Sequence, residues 1–300
     1  MKNLLKLMDL SEKEIVEILN TADQLKFEKK NGIPHRLLEG KVLGLIFAKS
    51  STRTRVSFEV GMFDLGGTSL FLSSRDLQIG RGEIVQDTAR VLSRYLDGIM
   101  IRTFDQREVE ALAEFGTIPI INGLTDYCHP CQVLADLMTI REYKGNIKGR
   151  KLCYIGDGNN MTNSLIVGGI KLGMEVSVAC PAGYEPDADI MKWAYESGRF
   201  SCSPDVLEMA QNSDVLYTDV WASMGQECEA EERKKVFKSY QINDKVLSVS
   251  KSDAMVLHCL PAHREEEITS KVFEEHSREI FDEAENRLHA QKAVLVKCLL

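Results

Sequence analysis

VLGLIFAKSSTRTRVSFEVGMFDLGGTSLFL, residues 42–72, is the stretch from which the fold can be predicted. It begins and ends with short apolar runs typical of buried strands, VLGLIF and TSLFL. Between these runs, apolar side chains recur with the spacing of one helix face, at Val56, Val60 and Phe63. Gly66 and Gly67 then end the predicted helix. A strand, a helix and a second strand in this order predict a parallel β-sheet.

The same alternation continues on both sides of this unit. Upstream, Ser11 and Glu14 have the spacing of a capping box and predict the start of a helix. Downstream, further apolar runs predict strands: GIMI (98–101), IPII (118–121), KLCYI (151–155), EVSVA (175–179), VLYT (215–218), KVLSV (245–249) and MVL (255–257). Helices are predicted over about 130–143 and over the C-terminal DEAENRLHAQKAVLVKCLL. We therefore expect an α/β protein.

A chain of 300 residues exceeds the usual size of a single domain, so we expect two domains. The segment KGNIKGRK (144–151) interrupts the alternation with glycines and charges and predicts a hinge. Each domain is predicted to be an open parallel β-sheet flanked by helices. The first covers 1–143 and the second 151–283, and a C-terminal helix, 284–300, is expected to pack back on the first.

The net charge of −8 and the isoelectric point near 5.4 disfavour a general attraction to nucleic acid or to an anionic membrane. An anionic ligand would have to be bound by a local cluster of donors. No apolar run reaches the roughly 20 residues that span a bilayer. The N-terminal segment becomes acidic too early for a signal peptide, so we expect a cytoplasmic protein.

The eight cysteines are scattered, and we expect them to be reduced thiols rather than a disulfide framework. Cys128 and Cys131 have the C-x-x-C spacing of redox and zinc sites. Both kinds of site are disfavoured, because no second pair completes a zinc site and no glycine-proline turn separates the two cysteines.

Chemically active residues follow several of the predicted strands, at the sheet edge where open parallel sheets bind ligands. After VLGLIF, the run STRTR (51–55) places hydroxyls and guanidinium groups at the start of a helix, which favours an anion. The alternative is that Ser51 or Thr52 only caps the helix while the arginines are solvated. His129, Asp219 and Cys259 also have structural alternatives: a cap, a turn former and a buried thiol.

Five segments together resemble the signature of the ornithine carbamoyltransferases, in the aspartate/ornithine carbamoyltransferase superfamily. They are STRTR (51–55), HPCQ (129–132), DVWASMG (219–225), HCLP (258–261) and FDEAENRLHAQKA (281–293). The first two are shared with the aspartate carbamoyltransferases and therefore indicate only the carbamoyl donor. The D-x-x-x-S-M-G and HCLP elements indicate ornithine as the acceptor. The resemblance covers essentially the whole chain.

The resemblance implies direct attack of the ornithine side-chain amine on carbamoyl phosphate, through a tetrahedral intermediate and without a covalent enzyme intermediate, a cofactor or a metal. Asp219 and Cys259 would orient and deprotonate the amine. The carbamoyl phosphate residues would be Ser51, Thr52, Arg53, Thr54, Gln78, Arg102, His129, Gln132, Cys259, Leu260 and Arg287. The ornithine residues would be Asn160, Asp219, Ser223 and Met224. Gln78 would come from a neighbouring subunit, which implies a homotrimer or a multiple of trimers.

Three alternatives remain open at this point. IGDGNNM (155–161) suggests a dinucleotide site, but it has two of the three glycines, and Cys180 stands where an acidic residue is expected. An RNA-binding role for STRTR lacks interleaved aromatics and a basic face. Within the superfamily, the acceptor could be aspartate, acetylornithine, succinylornithine or putrescine. Arg233 is expected on a charged helix face.

Overall fold

The computed structural model describes residues 1–74, 77, 78, 82–223 and 225–300. The chain forms two compact units, and the first joins Met1–Ala135 to the C-terminal segment Arg287–Leu300. The second unit is Asp136–Asn286. The return of the C-terminal segment to the first unit confirms the predicted packing of that helix.

The first half of the chain alternates helices and strands as predicted. Its elements are α1 (Glu12–Lys30), β1 (Val42–Phe47), α2 (Thr52–Asp64), β2 (Thr68–Ser73), α3 (Val85–Leu92), β3 (Gly98–Arg102), α4 (Gln106–Phe115), β4 (Ile120–Leu124) and α5 (Pro130–Lys144). The four strands form one parallel sheet in the order β2-β1-β3-β4. Phe47 pairs with Arg102, so the carboxyl ends of β1 and β3 are adjacent.

The predicted capping box is confirmed, since the Ser11 side chain accepts from Glu14 N and the Glu14 side chain accepts from Ser11 N. Helix α2 is also confirmed, but its buried face is not the stripe that predicted it. Val56 is 51% and Phe63 80% exposed. Gly61 lies on the buried face, where an added Cβ would lie 3.3 Å from Lys292 Cγ. The small residue thus permits a close approach of the C-terminal helix.

The second half of the chain repeats the alternation. Its elements are β5 (Lys151–Ile155), α6 (Asn160–Lys171), β6 (Glu175–Ala179), α7 (Ala188–Glu196), β7 (Phe200–Ser203), α8 (Val206–Ala210), β8 (Val215–Thr218), α9 (Ala230–Phe237), α10 (Asp244–Val249), β9 (Met255–His258), α11 (Ser270–Glu275) and α12 (Ser277–Leu299). The five strands form a parallel sheet in the order β7-β6-β5-β8-β9. Two open parallel sheets flanked by helices confirm the predicted fold class.

Two strand predictions differ from the structure in this half. KVLSV was predicted as a strand and is wrong, because these residues lie in α10. The Asn243 side chain caps that helix by accepting from Lys245 N and Val246 N. The edge strand β7 was not predicted, because its sequence FSCS is too polar to form an apolar run.

Buried apolar side chains form the core of each unit. One cluster in the first unit packs around Ile46, Ile99 and Ile101 beneath the sheet. A larger cluster in the second unit includes Leu216, Phe237 and Val256. Among the described residues, no helix combines the length and the apolar character needed to cross a membrane.

Candidate functional site

The first unit carries the start of α2 at the carboxyl end of β1. Ser51 is the N-cap residue, and its hydroxyl accepts a hydrogen bond of 3.2 Å from Thr54 N. Thr52 and Arg53 are the first helical residues. The first backbone N–H groups of a helix and its dipole favour an anion. Ser51 therefore does cap the helix, and this role leaves the anion-binding character of the helix start intact.

Two guanidinium groups converge on the side chain of Thr54, which is fully buried. Its Oγ1 accepts a hydrogen bond of 2.7 Å from Arg287 Nη2 and one of 3.5 Å from Arg102 Nη1. Arg102 ends β3 and Arg287 belongs to the C-terminal helix, so three elements of the first unit meet here. Arg55 instead pairs with Glu59 and lies over the Phe71 ring.

His129 directly precedes α5 and is 4% exposed. Burial lowers the pKa of its imidazole well below the usual value, and the nearby Arg287, Arg102 and Arg53 lower it further. The imidazole is therefore neutral at physiological pH, when one ring nitrogen is a donor and the other an acceptor. Gln132, one turn into α5, is also buried.

The C-x-x-C pair is part of the packing that holds this segment. Burial raises the pKa of Cys128 and of Cys131 to about 12, so both are thiols at neutral pH. Cys131 Sγ donates to Asn122 O at 3.4 Å, and Cys128 N donates to Thr125 Oγ1 at 3.2 Å. These contacts are those of structural cysteines.

Gln78 is exposed, and its carbonyl accepts a hydrogen bond of 3.1 Å from Glu83 N. Within the described part of the first unit, its side chain makes no hydrogen bond to the helix start at Ser51. Its predicted origin in a neighbouring subunit is compatible with this position and stays a prediction.

In the second unit, Asp219 directly follows β8, and its carboxylate accepts three hydrogen bonds. It accepts from Cys259 Sγ at 3.0 Å, from Asn159 Nδ2 at 3.0 Å and from Val220 N at 2.8 Å. These groups come from the carboxyl ends of β5, β8 and β9, which are neighbours in the sheet. The aspartate is 7% exposed, so its hydrogen-bond partners largely fix its orientation.

Asn159 was missed by the sequence interpretation, which selected the adjacent Asn160. Asn159 is the N-cap of α6, and its Oδ1 accepts from Met161 N at 2.9 Å and from Thr162 N at 3.2 Å. Its amide nitrogen is then turned toward Asp219. An asparagine just before a helix is a preferred N-cap, and this signal in GDGNN could have identified it. Asn160 is the first helical residue.

Cys259 is a thiol rather than a thiolate. Burial raises its pKa well above the usual value, and the adjacent Asp219 raises it further. The next residue, Leu260, has a φ of 56°, a conformation that L-residues adopt at a cost. Leu260 N donates to His258 Nδ1 at 2.9 Å, while His258 Nε2 lies 2.9 Å from Glu267 Oε1. A buried histidine and glutamate therefore hold this strained turn in place.

Asp219, His258 and Cys259 are close enough to be considered as metal ligands. Both ring nitrogens of His258 already have partners, Leu260 N and Glu267. The thiol of Cys259 already donates to Asp219. The donor set is thus occupied within the protein and does not fit a metal centre.

The DVWASMG loop of the second unit begins at Asp219. Ser223 N donates to Gln226 Oε1 at 3.0 Å, and Gln226 N donates to Ser223 O at 2.9 Å, which closes the loop. Gly225 has a φ of 99°, which a glycine adopts without strain. Met224, predicted to bind ornithine, lies outside the described residues.

Arg233 lies in the charged helix α9, as expected, but its side chain is buried. It is 7% exposed, and its Nη1 donates to Asp157 Oδ2 at 2.8 Å and to Trp221 O at 3.0 Å. The helical charge pattern could not reveal this pair, because Asp157 lies 76 residues earlier in the chain. Arg233 therefore links the turn after β5 to the loop after β8.

The glycine turn after β5 is packed against protein backbone rather than open to a dinucleotide. A Cβ at Gly158 would lie 2.2 Å from the carbonyl carbon of Glu185. Gly158 N also donates to Tyr184 O at 2.9 Å. This glycine is required for the contact with the 184–185 segment, and this contact disfavours a pyrophosphate-binding role.

Comparison with known proteins gives the same family in both halves of the chain. Residues 2–142 match the aspartate/ornithine carbamoyltransferase carbamoyl-P binding domain, and residues 148–298 match the Asp/Orn binding domain. The ornithine carbamoyltransferase of Pyrococcus abyssi is 55% identical, over 99% of this chain and 96% of the relative. A relative named anabolic ornithine carbamoyltransferase, from Pyrococcus furiosus, is also 55% identical, over 98% and 95% of the two chains. A solved ornithine carbamoyltransferase structure from Pyrococcus furiosus has a TM-score of 0.93 and 56% identity, covering 98% of this chain and 96% of that one.

Proposed function

The chain belongs to the aspartate/ornithine carbamoyltransferase family, and we propose that it transfers the carbamoyl group of carbamoyl phosphate to the side-chain amine of L-ornithine. The products are L-citrulline and phosphate. The observation that carries the choice of acceptor is the network of Asp219 with Cys259 and Asn159 at the ends of three adjacent strands. The names of the similar proteins agree with this choice.

The first unit binds carbamoyl phosphate in this proposal. The phosphate accepts hydrogen bonds from the backbone N–H groups and hydroxyls at the start of α2 and from the Arg53 guanidinium. Charge-assisted hydrogen bonds of this kind contribute about 1.5 to 3 kcal/mol each. Carbamoyl phosphate is also bound by Ser51, Thr52, Thr54, Gln132 and Arg287, by Gln78 donated from a neighbouring subunit, and by Cys259 and Leu260.

Arg102 and His129 act on the carbamoyl group. Attack by an amine places negative charge on the carbonyl oxygen in a tetrahedral intermediate, and donors aimed at that oxygen stabilise it. The lowered pKa of His129 supports this role, because a neutral imidazole donates one hydrogen bond without adding a further positive charge to the three nearby guanidinium groups. Phosphate then leaves, and its charge is held by Arg53 and the helix start.

The second unit binds ornithine. The free side-chain amine has a pKa of about 10.4, so it must lose a proton before it can attack. Asp219 orients the amine and accepts the proton, while the Cys259 thiol donates to Asp219 and the Leu260 carbonyl is a further acceptor. Asn160, Ser223 and Met224 bind the α-amino and carboxylate groups, and Asn159 fixes Asp219 from the opposite side.

The proposed reaction has no covalent enzyme intermediate. The one cysteine of this network, Cys259, has a pKa raised well above the usual value, and a protonated thiol is a poor nucleophile. Direct attack by the substrate amine is therefore favoured over attack by Cys259.

We further propose a homotrimer or a multiple of trimers, with Gln78 donated to a neighbouring subunit. The edge strand β2 and the outer face of α2 support this state, because they expose Leu70, Phe71 and Phe63 by 46%, 41% and 80%. Exposed apolar side chains clustered on an edge strand mark an interface. Light scattering after size-exclusion chromatography would test it, and a monomer at micromolar concentration would refute it.

A cytoplasmic location and a biosynthetic direction complete the proposal. All eight cysteines are free thiols, which fits a reducing compartment. The direction toward citrulline is suggested by the anabolic relative. Measuring the forward and reverse rates at matched substrate concentrations would test the direction, and a faster phosphorolysis of citrulline would contradict it.

An amine panel with carbamoyl phosphate tests the proposed acceptor. Ornithine, aspartate, putrescine, acetylornithine and succinylornithine are each assayed by release of phosphate and by the carbamoylated product. We expect a kcat/KM for ornithine at least about a hundredfold above the others, because a site that pairs buried polar groups with a substrate strongly rejects analogues that lack the partner groups. Preference for putrescine or an N-acylated ornithine would overturn the proposal.

A further inference from the structure

Two cysteines of the second unit lie side by side at an edge of its sheet. Cys180 directly follows β6 and Cys202 belongs to β7, and the two strands are parallel neighbours. Their sulfur atoms are 3.7 Å apart. Val178 pairs with Cys202, and Cys180 is two residues beyond Val178, so both thiols point to the same face.

We propose that Cys180 and Cys202 form a reversible intramolecular disulfide in response to hydrogen peroxide. The Cys202 thiolate attacks one peroxide oxygen, which gives a sulfenic acid and, after protonation, one water molecule. The Cys180 thiol then attacks that sulfur, releases a second water and forms the disulfide. Two thiols lose two protons and two electrons, and the hydroperoxide is reduced.

The order of attack follows from accessibility and from the contact between the thiols. Cys180 is 3% exposed, whereas Cys202 is partly exposed. The hydrogen bond between the two sulfur atoms lowers the pKa of the Cys202 thiol and raises the pKa of Cys180. The partly exposed cysteine with the lowered pKa reacts first, and the buried one resolves it.

Formation of the disulfide requires movement of both the sulfur atoms and the backbone. A disulfide bond is about 2.0 Å long, so the sulfurs must approach by about 1.7 Å. Because Cys180 lies two residues beyond Val178, the partner of Cys202, its Cα is about 7 to 8 Å from that of Cys202, just beyond the Cα separations that disulfides span. Closure therefore draws the backbone at Cys180 and the edge strand β7 toward each other, in addition to rotation of the Cys202 side chain.

The disulfide would act on the ornithine-binding residues of the proposed function. The segment after Cys180 contacts the turn that carries Asn159, through the hydrogen bond of 2.9 Å from Gly158 N to Tyr184 O. The Arg233 guanidinium also lies over the Tyr184 ring, with its Cζ 5.1 Å from the ring centroid. A bond that pulls Cys180 toward β7 therefore displaces both the turn that carries Asn159 and the Arg233 side chain. Because Asn159 orients Asp219, the KM for ornithine rises.

Peptide mapping tests the disulfide independently of activity. The experiment uses a Cys228→Ser variant, because residues 200–233 form one tryptic peptide that otherwise contains both Cys202 and the exposed Cys228. After hydrogen peroxide, we expect the peptide 172–192 joined to 200–233, and its loss on reduction with dithiothreitol. Cys180→Ser in the same background should instead trap Cys202 as a sulfenic acid that reacts with dimedone.

The kinetic readout uses the same proteins. We expect oxidation to raise the KM for ornithine several-fold, reversibly, and to leave the double variant Cys180→Ser, Cys228→Ser unchanged. In the Cys228→Ser protein, which retains both Cys180 and Cys202, dimedone capture without a joined peptide, or no oxidation of Cys202, would overturn the disulfide. A joined peptide with an unchanged KM would overturn the coupling to the ornithine residues. Inactivity of the reduced protein toward ornithine would refute the proposed function instead, and the peptide result would still stand.

Discussion

Arg233 Nη1 donates a hydrogen bond of 2.8 Å to Asp157 Oδ2, and the two side chains are 8% and 9% exposed. The same guanidinium nitrogen donates to Trp221 O. Asp157 belongs to the turn before Asn159, and Trp221 lies two residues after Asp219. One buried ion pair thus links the two loops that carry Asn159 and Asp219.

Replacing Arg233 by methionine should raise the KM for ornithine by about tenfold or more, with little change in the KM for carbamoyl phosphate. It should also lower the free energy of unfolding by about 3 kcal/mol, because breaking a buried pair leaves Asp157 as an uncompensated buried charge. Steady-state kinetics and urea unfolding would measure the two effects. Lys235→Met, at an exposed position two residues along α9, is the control. Equal effects of the two substitutions would contradict the linking role.

Replacing Arg53 by alanine should lower kcat/KM for carbamoyl phosphate by about a hundredfold or more, the usual effect of removing a donor to developing charge. The control is Arg107→Ala, whose side chain is 87% exposed and pairs only with the neighbouring Asp105 among the ion pairs described. Initial rates over a range of carbamoyl phosphate concentrations would measure the loss. If the two variants lose the same activity, Arg53 does not bind the phosphate.

Much of the fold could be predicted because strands that are buried on both faces form unbroken apolar runs. VLGLIF and KLCYI are such runs, and both are strands. KVLSV is a similar short apolar run, but Asn243 caps it as a helix. A run of five residues is too short for its apolar spacing to distinguish a strand from a helix. The edge strand β7 is polar, so a search for unbroken apolar runs does not identify it.

Some residues of the candidate site could likewise be predicted from the sequence, and others could not. Residues directly after apolar strands, such as Arg102, Asp219 and Cys259, could be located because the strand ends were known. Asn159 could not be separated from Asn160 by type, since the distinction depends on which of two adjacent asparagines caps the helix. The Arg233 pair requires the tertiary fold, because nothing in the helical charge pattern of α9 points to Asp157.

The burial of His129 predicts a pH-dependent stability. Its folded pKa lies well below the value of about 6.5 expected for the unfolded chain. Below that pH the unfolded state takes up a proton that the folded state does not, so the free energy of unfolding decreases as the pH falls. This residue contributes at most about 1.4 kcal/mol per pH unit.

Urea unfolding between pH 7 and pH 5 would measure this dependence. His129→Gln should remove the contribution of one proton from the slope, and His263→Gln, at an exposed histidine, is the matched control for the loss of an imidazole. An identical slope for His129→Gln and the unmodified protein would mean that His129 takes up its proton equally in the folded and unfolded states.

The division of labour between Asp219 and Cys259 gives a final prediction. Asp219→Asn should lower kcat/KM for ornithine by about a hundredfold or more, because an amide cannot accept the proton of the amine. Cys259→Ser should lower it by less than about tenfold, because a hydroxyl still donates to Asp219 as the thiol does. Cys259→Ala removes that donor and should lie between the two, and Cys228→Ser, at an exposed cysteine, is the control.

The serine variant decides between the two proton acceptors. A thiolate base would be lost almost completely in Cys259→Ser, since a serine hydroxyl ionises far less readily than a thiol. A loss as large as that of Asp219→Asn would therefore assign the proton to Cys259. The pKa of Cys259, raised by burial and by the adjacent Asp219, favours the opposite result. Asp219 would then remain the acceptor, with Cys259 and Asn159 orienting it from two sides.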